Sequence, residues 1–463
     1  MNSTRRHGSA SALAGWLAWL ALLVAGAGLT PTVSDGAAMS TRTLSAPRQL
    51  RLVFESLVDG TGERLAGREI VIEGRTIVAI GSGLKRRYPA ARRITLPGLT
   101  AIPGLIDAHV HMTYGFCAAS RGDPWKQLLN ETPPQERLLA GIDNAARTLA
   151  VGVTTARDLL ALDGVDFELR ELIDHGVVPG PRLYLSGVGI HPLTMPLGAG
   201  GTPDERVAAF SQRAREVVAS KASWLKIFAT TGTGADLTGE QIYQYPEIKA
   251  AVDIAHAGGV RVAVHAYGPS VVPEAIRAGV DSIEHSVGVD DETLRSWAAS
   301  GVFYVPTVDH NRYYAEHRLE YGYDADAARA LQAFVERNLD MLGRAHRAGV
   351  PIAMGSDAVM TMFGENTREL EWFVAAGFTP AEALRAATVD GARLLGQQDR
   401  LGRLVPGFMA DIVGVRGTPL ADIRAVTRQV VWVMKDGKVE IDRRSSGRPA
   451  AAAGSACRAP AGR

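Results

Sequence analysis

Short apolar runs rich in β-branched residues occur in two separated regions of the chain, between positions 48 and 104 and again between positions 399 and 442. The first region contains QLRLVFESLVDG, GREIVIEGRTIVAIG and RRITLPGLTAIPGL, and the second contains ADIVGVRG and VVWVMKDGKVEI. Apolar runs separated by glycine-containing turns indicate β-hairpins. One small β domain assembled from both flanks of the chain accounts for both regions, and we expect a β-sandwich over residues 48–104 and 399–442.

The central region, residues 105–398, shows a different alternation, in which each apolar strand is followed by a segment with helical character. The eight apolar strands are GLIDAHVHM, GVTTARDLL, PRLYLSGVGI, WLKIFAT, RVAVHAYG, SIEHS, VFYVPTV and IAMGSDA. Eight such units favour a closed parallel barrel over an open sheet. No glycine-rich phosphate fingerprint follows any strand, which disfavours a dinucleotide-binding fold. The predicted fold class is therefore α/β, a (β/α)8 TIM barrel with a small β-sandwich domain.

The two ends of the chain are predicted to lie outside this fold. Arg5 and Arg6 precede an apolar run over residues 11–29, and Ala25-Gly26-Ala27 resembles a processing site, which is typical of a secretory signal. We therefore assign residues 1–38 to a signal peptide and linker and expect a periplasmic or secreted protein. An uncleaved anchor is the alternative, since the run approaches the roughly 20 residues that span a bilayer. Residues 443–463 are predicted to be a disordered tail.

Composition narrows the function classes. The chain of 463 residues is 46% hydrophobic and 21% charged, with a formal net charge of +1, so no basic excess points to nucleic acid. Two cysteines, Cys117 and Cys457, rule out a disulfide framework. We expect no nucleic-acid partner and no membrane span after processing, and self-association into a homo-oligomer is left open.

Polar side chains stand at the carboxyl ends of several predicted barrel strands, where barrel enzymes place their chemistry. Side chains in a strand alternate between faces, so His109 and His111 share one face. Each residue alone has an ordinary explanation: a strand-end histidine can simply be hydrogen-bonded in the core, and Asp357 can cap the next helix. Their joint occurrence at one end of the strands favours a metal site. The candidate ligands at these strand ends are His109, His111, His265, His285 and Asp357.

Lys226 lies in the middle of the apolar strand WLKIFAT. Burying an ammonium group without a partner costs several kcal/mol, so either the lysine pairs with a carboxylate at the barrel mouth or its charge changes. Burial and nearby cations lower the pKa of a lysine and expose a nucleophilic amine. Carbon dioxide can add to that amine, and the resulting carbamate has two oxygens that are able to bridge two metal ions. The strand neighbours favour the second possibility.

These motifs together resemble the amidohydrolase superfamily, in the exported imidazolonepropionase-like branch that includes Xaa-Pro dipeptidases and related carboxypeptidases. The resemblance covers roughly residues 50–442 and includes a later stretch, TPAEALRAATVDGARLLG followed by LGRLVPGFMADIV. The motifs that carry it are His109-x-His111 in GLIDAHVHM, Lys226 in WLKIFATTG, His265 in VAVHAYG, His285 in SIEHS and Asp357 in GSDA.

The resemblance implies a binuclear centre with two divalent ions, for which zinc is the expected metal. It places His109, His111 and Asp357 on the buried ion and His265 and His285 on the outer ion, with carbamylated Lys226 as the bridging ligand. It also implies that Asp357 transfers a proton and that Tyr267 polarises the substrate carbonyl, although Tyr267 could instead be a packing residue of the barrel. His191, after the third barrel strand, falls where relatives direct a histidine toward substrate.

The reaction is expected to be hydrolysis of an amide. Related deaminases carry a glutamate close after the fifth-strand histidine, whereas the chain here has no acid after His265 until Glu274, which disfavours deamination. We expect dipeptides or N-acyl amino acids with a free C-terminal carboxylate as substrates, with Xaa-Pro dipeptides the leading class. A lactonase, esterase or organophosphate hydrolase of the same fold is one alternative, and a catalytically silent metal-binding homologue is another.

A substrate carboxylate needs a cation or a group of hydrogen-bond donors near the barrel mouth. The candidates are His191, Arg157 after the second strand and Arg312 after the seventh. Arg157 has an equally reasonable structural interpretation, in which it pairs with Asp158 or Asp107.

Overall fold

A computed structural model describes residues 49–114, 132–195, 200–234 and 236–444 of the chain. The predicted signal peptide over residues 1–38 lies outside the described residues, as does the predicted tail beyond Arg444.

The strands of the described residues are β1 Gln49–Leu57, β2 Glu69–Glu73, β3 Thr76–Gly81, β4 Arg92–Pro103, β5 Leu105–Val110, β6 Val153–Asp158, β7 Arg182–Leu185, β8 Trp224–Phe228, β9 Arg261–Ala266, β10 Ser282–His285, β11 Phe303–Val305, β12 Ile412–Arg416, β13 Val430–Lys435 and β14 Lys438–Asp442. The α-helices are α1 Pro134–Ala150, α2 Val165–Asp174, α3 Pro203–Ala219, α4 Tyr245–Ala257, α5 Val272–Ala278, α6 Asp291–Ser300, α7 Val308–Glu316, α8 Ala325–Ala348, α9 Glu369–Ala375, α10 Pro380–Ala386, α11 Val389–Leu394 and α12 Arg424–Arg428. Two short 3₁₀ helices span Met360–Met362 and Asn366–Arg368.

Strands from both flanks of the chain join in one seven-stranded sheet with the order β14-β13-β12-β4-β1-β2-β3. The long strand β4 makes the connection, since it pairs in parallel with β1 and antiparallel with β12. This sheet buries an apolar cluster in which the rings of Phe54 and Trp432 meet edge to face at 5.9 Å. The early and late β-branched runs therefore belong to the same sheet.

The central strands form two parallel sheets, β5-β6-β7 and β11-β10-β9-β8. Single parallel bridges connect them at both edges. Ile190, beyond β7, bridges to Ile227 of β8. On the other side, residues 352–358 bridge to Tyr304 of β11 and to Val110 of β5. The carboxyl ends of all these strands consequently lie at the same edge.

The last predicted barrel strand, IAMGSDA, differs from the expectation because it is not a regular strand. Its backbone still bonds on both sides: Ala353 N–H donates to the Tyr304 carbonyl at 3.1 Å, and Ala108 N–H donates to the Met354 carbonyl at 2.8 Å. Gly355 and Asp357 show two backbone features of this irregular segment. A Cβ atom on Gly355 would lie only 2.4 Å from a methyl group of Val305, and Asp357 has a φ of 52°.

The helices that follow the strands are amphipathic and cover the parallel sheets. Helix α4 buries Ile248, Ala251, Val252 and Ala255, the i, i+3, i+4, i+7 spacing of one helical face. In the described part of the chain, no helix combines the length and the apolar character needed to cross a membrane.

Candidate active site

The predicted site residues meet at the carboxyl edge of the parallel strands, around one cavity of about 510 Å³. Six of them line it: His111, His191, His265, Tyr267, His285 and Asp357. The other two, His109 and Lys226, have no solvent exposure. Parallel strands bring their ends together, so residues up to 248 positions apart in sequence become neighbours here.

Three ligand atoms converge at the base of the cavity. One atom each from His109, His285 and Asp357 lies within 4.8 Å of the other two. Asp357 Oδ1 is 3.5 Å from His109 Nε2 and 3.2 Å from His111 Nε2. His265 extends the cluster, because its ring lies 4.6 Å from the ring of His285. Two or three imidazoles with a carboxylate are a donor set that suits zinc and other hydrolytic metals.

The second ring nitrogen of three of these histidines is held by the protein. His109 Nδ1 bonds to Glu284 at 2.8 Å, His285 Nδ1 bonds to Thr307 Oγ1 at 2.7 Å, and His111 Nδ1 bonds to the Leu160 carbonyl at 3.3 Å. Such contacts fix the orientation of a metal-binding imidazole and leave Nε2 for the ion.

His265 supplies an independent test of whether a metal fits. Its Nε2 is buried and has no hydrogen-bond partner among the described residues. An unpaired buried polar atom is costly, and a ligand to that atom removes the cost. Burial also lowers the pKa of His109, His265 and His285 well below the ordinary value, so these imidazoles are neutral and able to coordinate at neutral pH. The residues present fit a divalent metal.

Lys226 remains inside the protein. It has no solvent exposure, and its Nζ is 3.3 Å from His109 Nε2. Within the described residues no carboxylate oxygen lies within ion-pairing distance of it, so the alternative of a carboxylate partner at the mouth is wrong. Burial lowers the pKa of Lys226 to about 8, although the more distant Glu284 and Asp357 oppose the shift. With this pKa about a tenth of the amine is uncharged at pH 7, far more than for an ordinary lysine.

Asp357 is held as a carboxylate in a strained backbone. Burial alone would raise its pKa, but the facing imidazoles of His310, His109 and His111 lower it well below the ordinary range. Its φ of 52° is unusual for a residue with a side chain, and His310 Nδ1 donates to its carbonyl oxygen at 2.7 Å. Strain of this kind persists where surrounding contacts fix it, and it is concentrated at functional sites.

Tyr267 and His191 face the cavity as uncharged donors. The Tyr267 ring lies 5.0 Å from the rings of both His265 and His285, and burial together with Asp357 raises its pKa above the ordinary value, so the hydroxyl keeps its proton. His191 Nδ1 accepts from the Leu193 N–H at 3.1 Å, which leaves a proton on Nε2. Burial and Lys226 lower the pKa of His191 to about 4.

Two predicted carboxylate-binding residues do not reach the cavity. Arg157 is fully buried and donates two hydrogen bonds to Glu284, at 2.9 and 3.0 Å, so its partner is neither Asp158 nor Asp107. Arg312 is bound to Asp309, at 2.9 and 2.7 Å, and to a second acid, Glu316, of its own helix α7. The structure thus favours the structural interpretation of Arg157, with Glu284 as the partner that the sequence did not identify, and it gives Arg312 acid partners of its own.

Sequence reasoning missed Glu284 and His310. Glu284 is fully buried between His109 and Arg157 and so connects a candidate ligand to a buried cation. The signal was present, since a charged residue in the short apolar strand SIEHS requires a partner, as does Arg157 in GVTTARDLL. His310 follows the seventh central strand in VPTVDHNRYY and lines the cavity beside Asp357.

Comparison with known proteins agrees with this geometry. The model of the amidohydrolase family matches residues 100–439. The chain belongs to the amidohydrolase family. Ochratoxinase of Aspergillus niger is 27% identical over 417 residues, which cover 83% of this chain and 85% of the relative. Imidazolonepropionase of Geobacillus kaustophilus is 26% identical over 375 residues, with 74% and 82% covered.

Among solved structures, a Xaa-Pro dipeptidase with methionine bound in its active site superposes with a TM-score of 0.74 at 27% identity. The match covers 85% of this chain and all of that one. The resemblance predicted from the motifs is confirmed for the superfamily and for its branch. As an amidohydrolase, the protein is a hydrolase acting on carbon–nitrogen bonds.

Proposed function

We propose that this amidohydrolase is a binuclear-metal enzyme that cleaves dipeptides or N-acyl amino acids with a free C-terminal carboxylate. The observation that carries the proposal is the convergence of His109, His285 and Asp357 beside a buried Lys226 and the unpartnered Nε2 of His265. Without a bound ion, the buried Nε2 of His265 would have no partner, which is rare for buried polar atoms.

In this proposal, His109, His111 and Asp357 would hold one ion, His265 and His285 would hold the other, and carbamylated Lys226 would be a ligand of both. Zinc is the expected metal because the donors are nitrogen and oxygen atoms. Bound divalent ions polarise a carbonyl and lower the pKa of water toward neutrality. The lowered pKa of Lys226 supports the carbamate, since an uncharged amine is the form that adds carbon dioxide.

The protein's own groups then move the proton. Asp357 Oδ accepts a proton from the attacking water and delivers it to the leaving nitrogen. Its low pKa keeps it unprotonated at the start of the cycle. The Tyr267 hydroxyl donates to the substrate carbonyl oxygen, where negative charge develops. Both side chains are largely buried, which limits the water that competes for these hydrogen bonds.

The likeness to a Xaa-Pro dipeptidase supports Xaa-Pro dipeptides as the leading substrate class. A proline nitrogen carries no N–H, so its amide makes none of the donor contacts that ordinary peptide binding uses. His191 is the remaining candidate for the substrate carboxylate, through its Nε2–H. It acts as a neutral donor, because its pKa of about 4 leaves it uncharged.

We also infer that the two parallel sheets are parts of one closed barrel. The bridges at Ile190, Ile352 and Ala358 support this, since they join the outer strands of both sheets. Residues 351–358 would then be the eighth strand, and the seven-stranded sheet would be the small β domain that was predicted from both flanks of the chain.

The test is hydrolysis by the purified, zinc-loaded protein of paired substrates that differ only at the C-terminus. We expect amidation of the substrate carboxylate to lower kcat/KM at least about tenfold, the contribution of one charge-assisted hydrogen bond. Equal cleavage of free-acid and amidated substrates would reject the exopeptidase assignment. Faster turnover of lactones than of any amide would identify the alternative hydrolase activity.

A further inference from the structure

The segment formed by residues 230–234 and 236–240, which follows the strand that carries Lys226, packs against the proposed catalytic tyrosine. Thr230 Oγ1 accepts the backbone N–H of Tyr267 at 2.9 Å. A Cβ atom on Gly232 would lie 2.5 Å from Cγ of Tyr267, so only glycine allows the backbone to approach so closely. The position of this segment is therefore fixed relative to the reacting centre.

Further hydrogen bonds fix the outer part of the same segment. Thr231 N–H donates to the Glu240 carbonyl at 2.8 Å, and the hydroxyls of Thr231 and Thr238 are 2.8 Å apart. Thr233 and Asp236 exchange two backbone hydrogen bonds of 3.0 Å each. A side chain at position 236 is consequently held at a defined place on the cavity wall.

Asp236 lines the cavity and is exposed to solvent. Its Oδ1 accepts both hydrogen bonds that orient it, from the Thr238 N–H at 3.0 Å and from the Thr238 hydroxyl at 2.6 Å. Its Oδ2 has no donor among the described residues. The carboxylate is thus oriented by one oxygen and presents the other to the cavity.

The charges around the cavity leave Asp236 without a balancing cation. Among the described residues that line it, the acids are Asp236 and Asp357, and no lysine or arginine is present. Asp357 faces the histidine cluster, whereas Asp236 is in the segment outside it. His191 is neutral, since its pKa is about 4. An isolated carboxylate in a cleft attracts a cationic group of the ligand.

We propose that Asp236 binds an ammonium group of the substrate, so that the enzyme prefers amides with a free amino group over their N-acylated counterparts. The inference rests on the proposed amide hydrolysis. Of the two proposed substrate classes, it favours dipeptides over N-acyl amino acids. The ammonium can be the α-amino group or the side chain of an N-terminal lysine, and the two sources are separated by the substrates below.

The experiment compares wild type, Asp236→Asn and Glu240→Gln with four substrates. Asp236→Asn keeps the size of the side chain and an oxygen for the Thr238 N–H. Glu240→Gln removes the same charge from the same segment at an exposed residue that does not line the cavity. The substrates are Leu-Pro, N-acetyl-Leu-Pro, N-acetyl-Lys-Pro and N-acetyl-norleucyl-proline.

We expect Asp236→Asn to lower kcat/KM for Leu-Pro about two- to fivefold, mainly through KM, as for the loss of one solvent-exposed ion pair. N-acetyl-Leu-Pro should be cleaved equally by both proteins, and Glu240→Gln should match wild type throughout. An Asp236→Asn loss for N-acetyl-Lys-Pro but not for the norleucyl analogue would assign the site to a side-chain ammonium. An equal loss for all four substrates, or no loss for any, would overturn the proposal.

Calorimetric titration with leucinamide and N-acetyl-leucinamide makes the result independent of turnover. Tighter binding of leucinamide by wild type than by Asp236→Asn is expected. A further outcome is that wild type cleaves amides but shows no preference for Leu-Pro over N-acetyl-Leu-Pro and no tighter binding of leucinamide than of N-acetyl-leucinamide. In that case the ammonium site fails and the proposed function stands. If it cleaves no amide, the proposed function fails, and the titration still decides the ammonium site.

Discussion

Replacing Arg157 by methionine tests the assignment of this residue as a structural partner of Glu284. Both side chains have no solvent exposure, and the guanidinium donates to Glu284, to Ser282 Oγ at 2.9 Å and to the Ala108 carbonyl. It also stacks on Trp224, with 4.3 Å between Cζ and the ring centroid. Methionine keeps much of the apolar volume but leaves the Glu284 carboxylate buried without a cation.

The expected cost follows from this burial. Removing one partner of a buried ion pair destabilises a protein by about 3–5 kcal/mol, because the remaining charge stays desolvated. The control is Arg428→Met. Arg428 pairs with Glu371 but has a side chain 57% exposed, so its loss should cost about 0–1 kcal/mol. The double variant Arg157→Met/Glu284→Gln should be destabilised less than the sum of its single variants, since no buried charge is left unpaired.

Urea unfolding followed by circular dichroism measures these free energies, and the KM for free-acid and amidated substrates is measured alongside. A cost for Arg157→Met as small as that of Arg428→Met would refute the reasoning. So would a stable Arg157→Met protein whose KM rises only for free-acid substrates, because Arg157 would then be the carboxylate contact.

Two further predictions concern the metal centre and the N-terminus. Metal analysis should find two ions per chain in wild type and one in Lys226→Ala, and the variant should lose nearly all turnover. Short carboxylic acids should partly restore both the second ion and the turnover of the variant. A single ion in fully active wild type contradicts the binuclear proposal. Mature protein from the native host should begin after residue 27 or within TPTVSDGAA, consistent with export, and N-terminal sequencing that finds Met1 intact in the membrane fraction would contradict the predicted cleavage.

The sequence alone indicated where most of the strands lie and which histidines and aspartate meet at their ends. The period-two alternation in GLIDAHVHM and the repeated strand–helix pattern depend on local backbone geometry, which a short stretch of residues specifies. Once the central strands are parallel, their carboxyl ends must share an edge. His109, His265, His285 and Asp357 could therefore be grouped from sequence although they are far apart in the chain.

Only the tertiary structure decided which charged groups are partners. Arg157 pairs with Glu284 across 127 positions and His310 bonds to the Asp357 carbonyl, and neither contact follows from the spacing within one segment. The close approach of Gly355 to Val305 is likewise a tertiary contact that the segment IAMGSDA does not reveal by itself. A charged side chain that is removed from water is stabilised by an opposite charge close to it. Which opposite charge is close, and how deeply both groups are buried, is defined only in the folded chain.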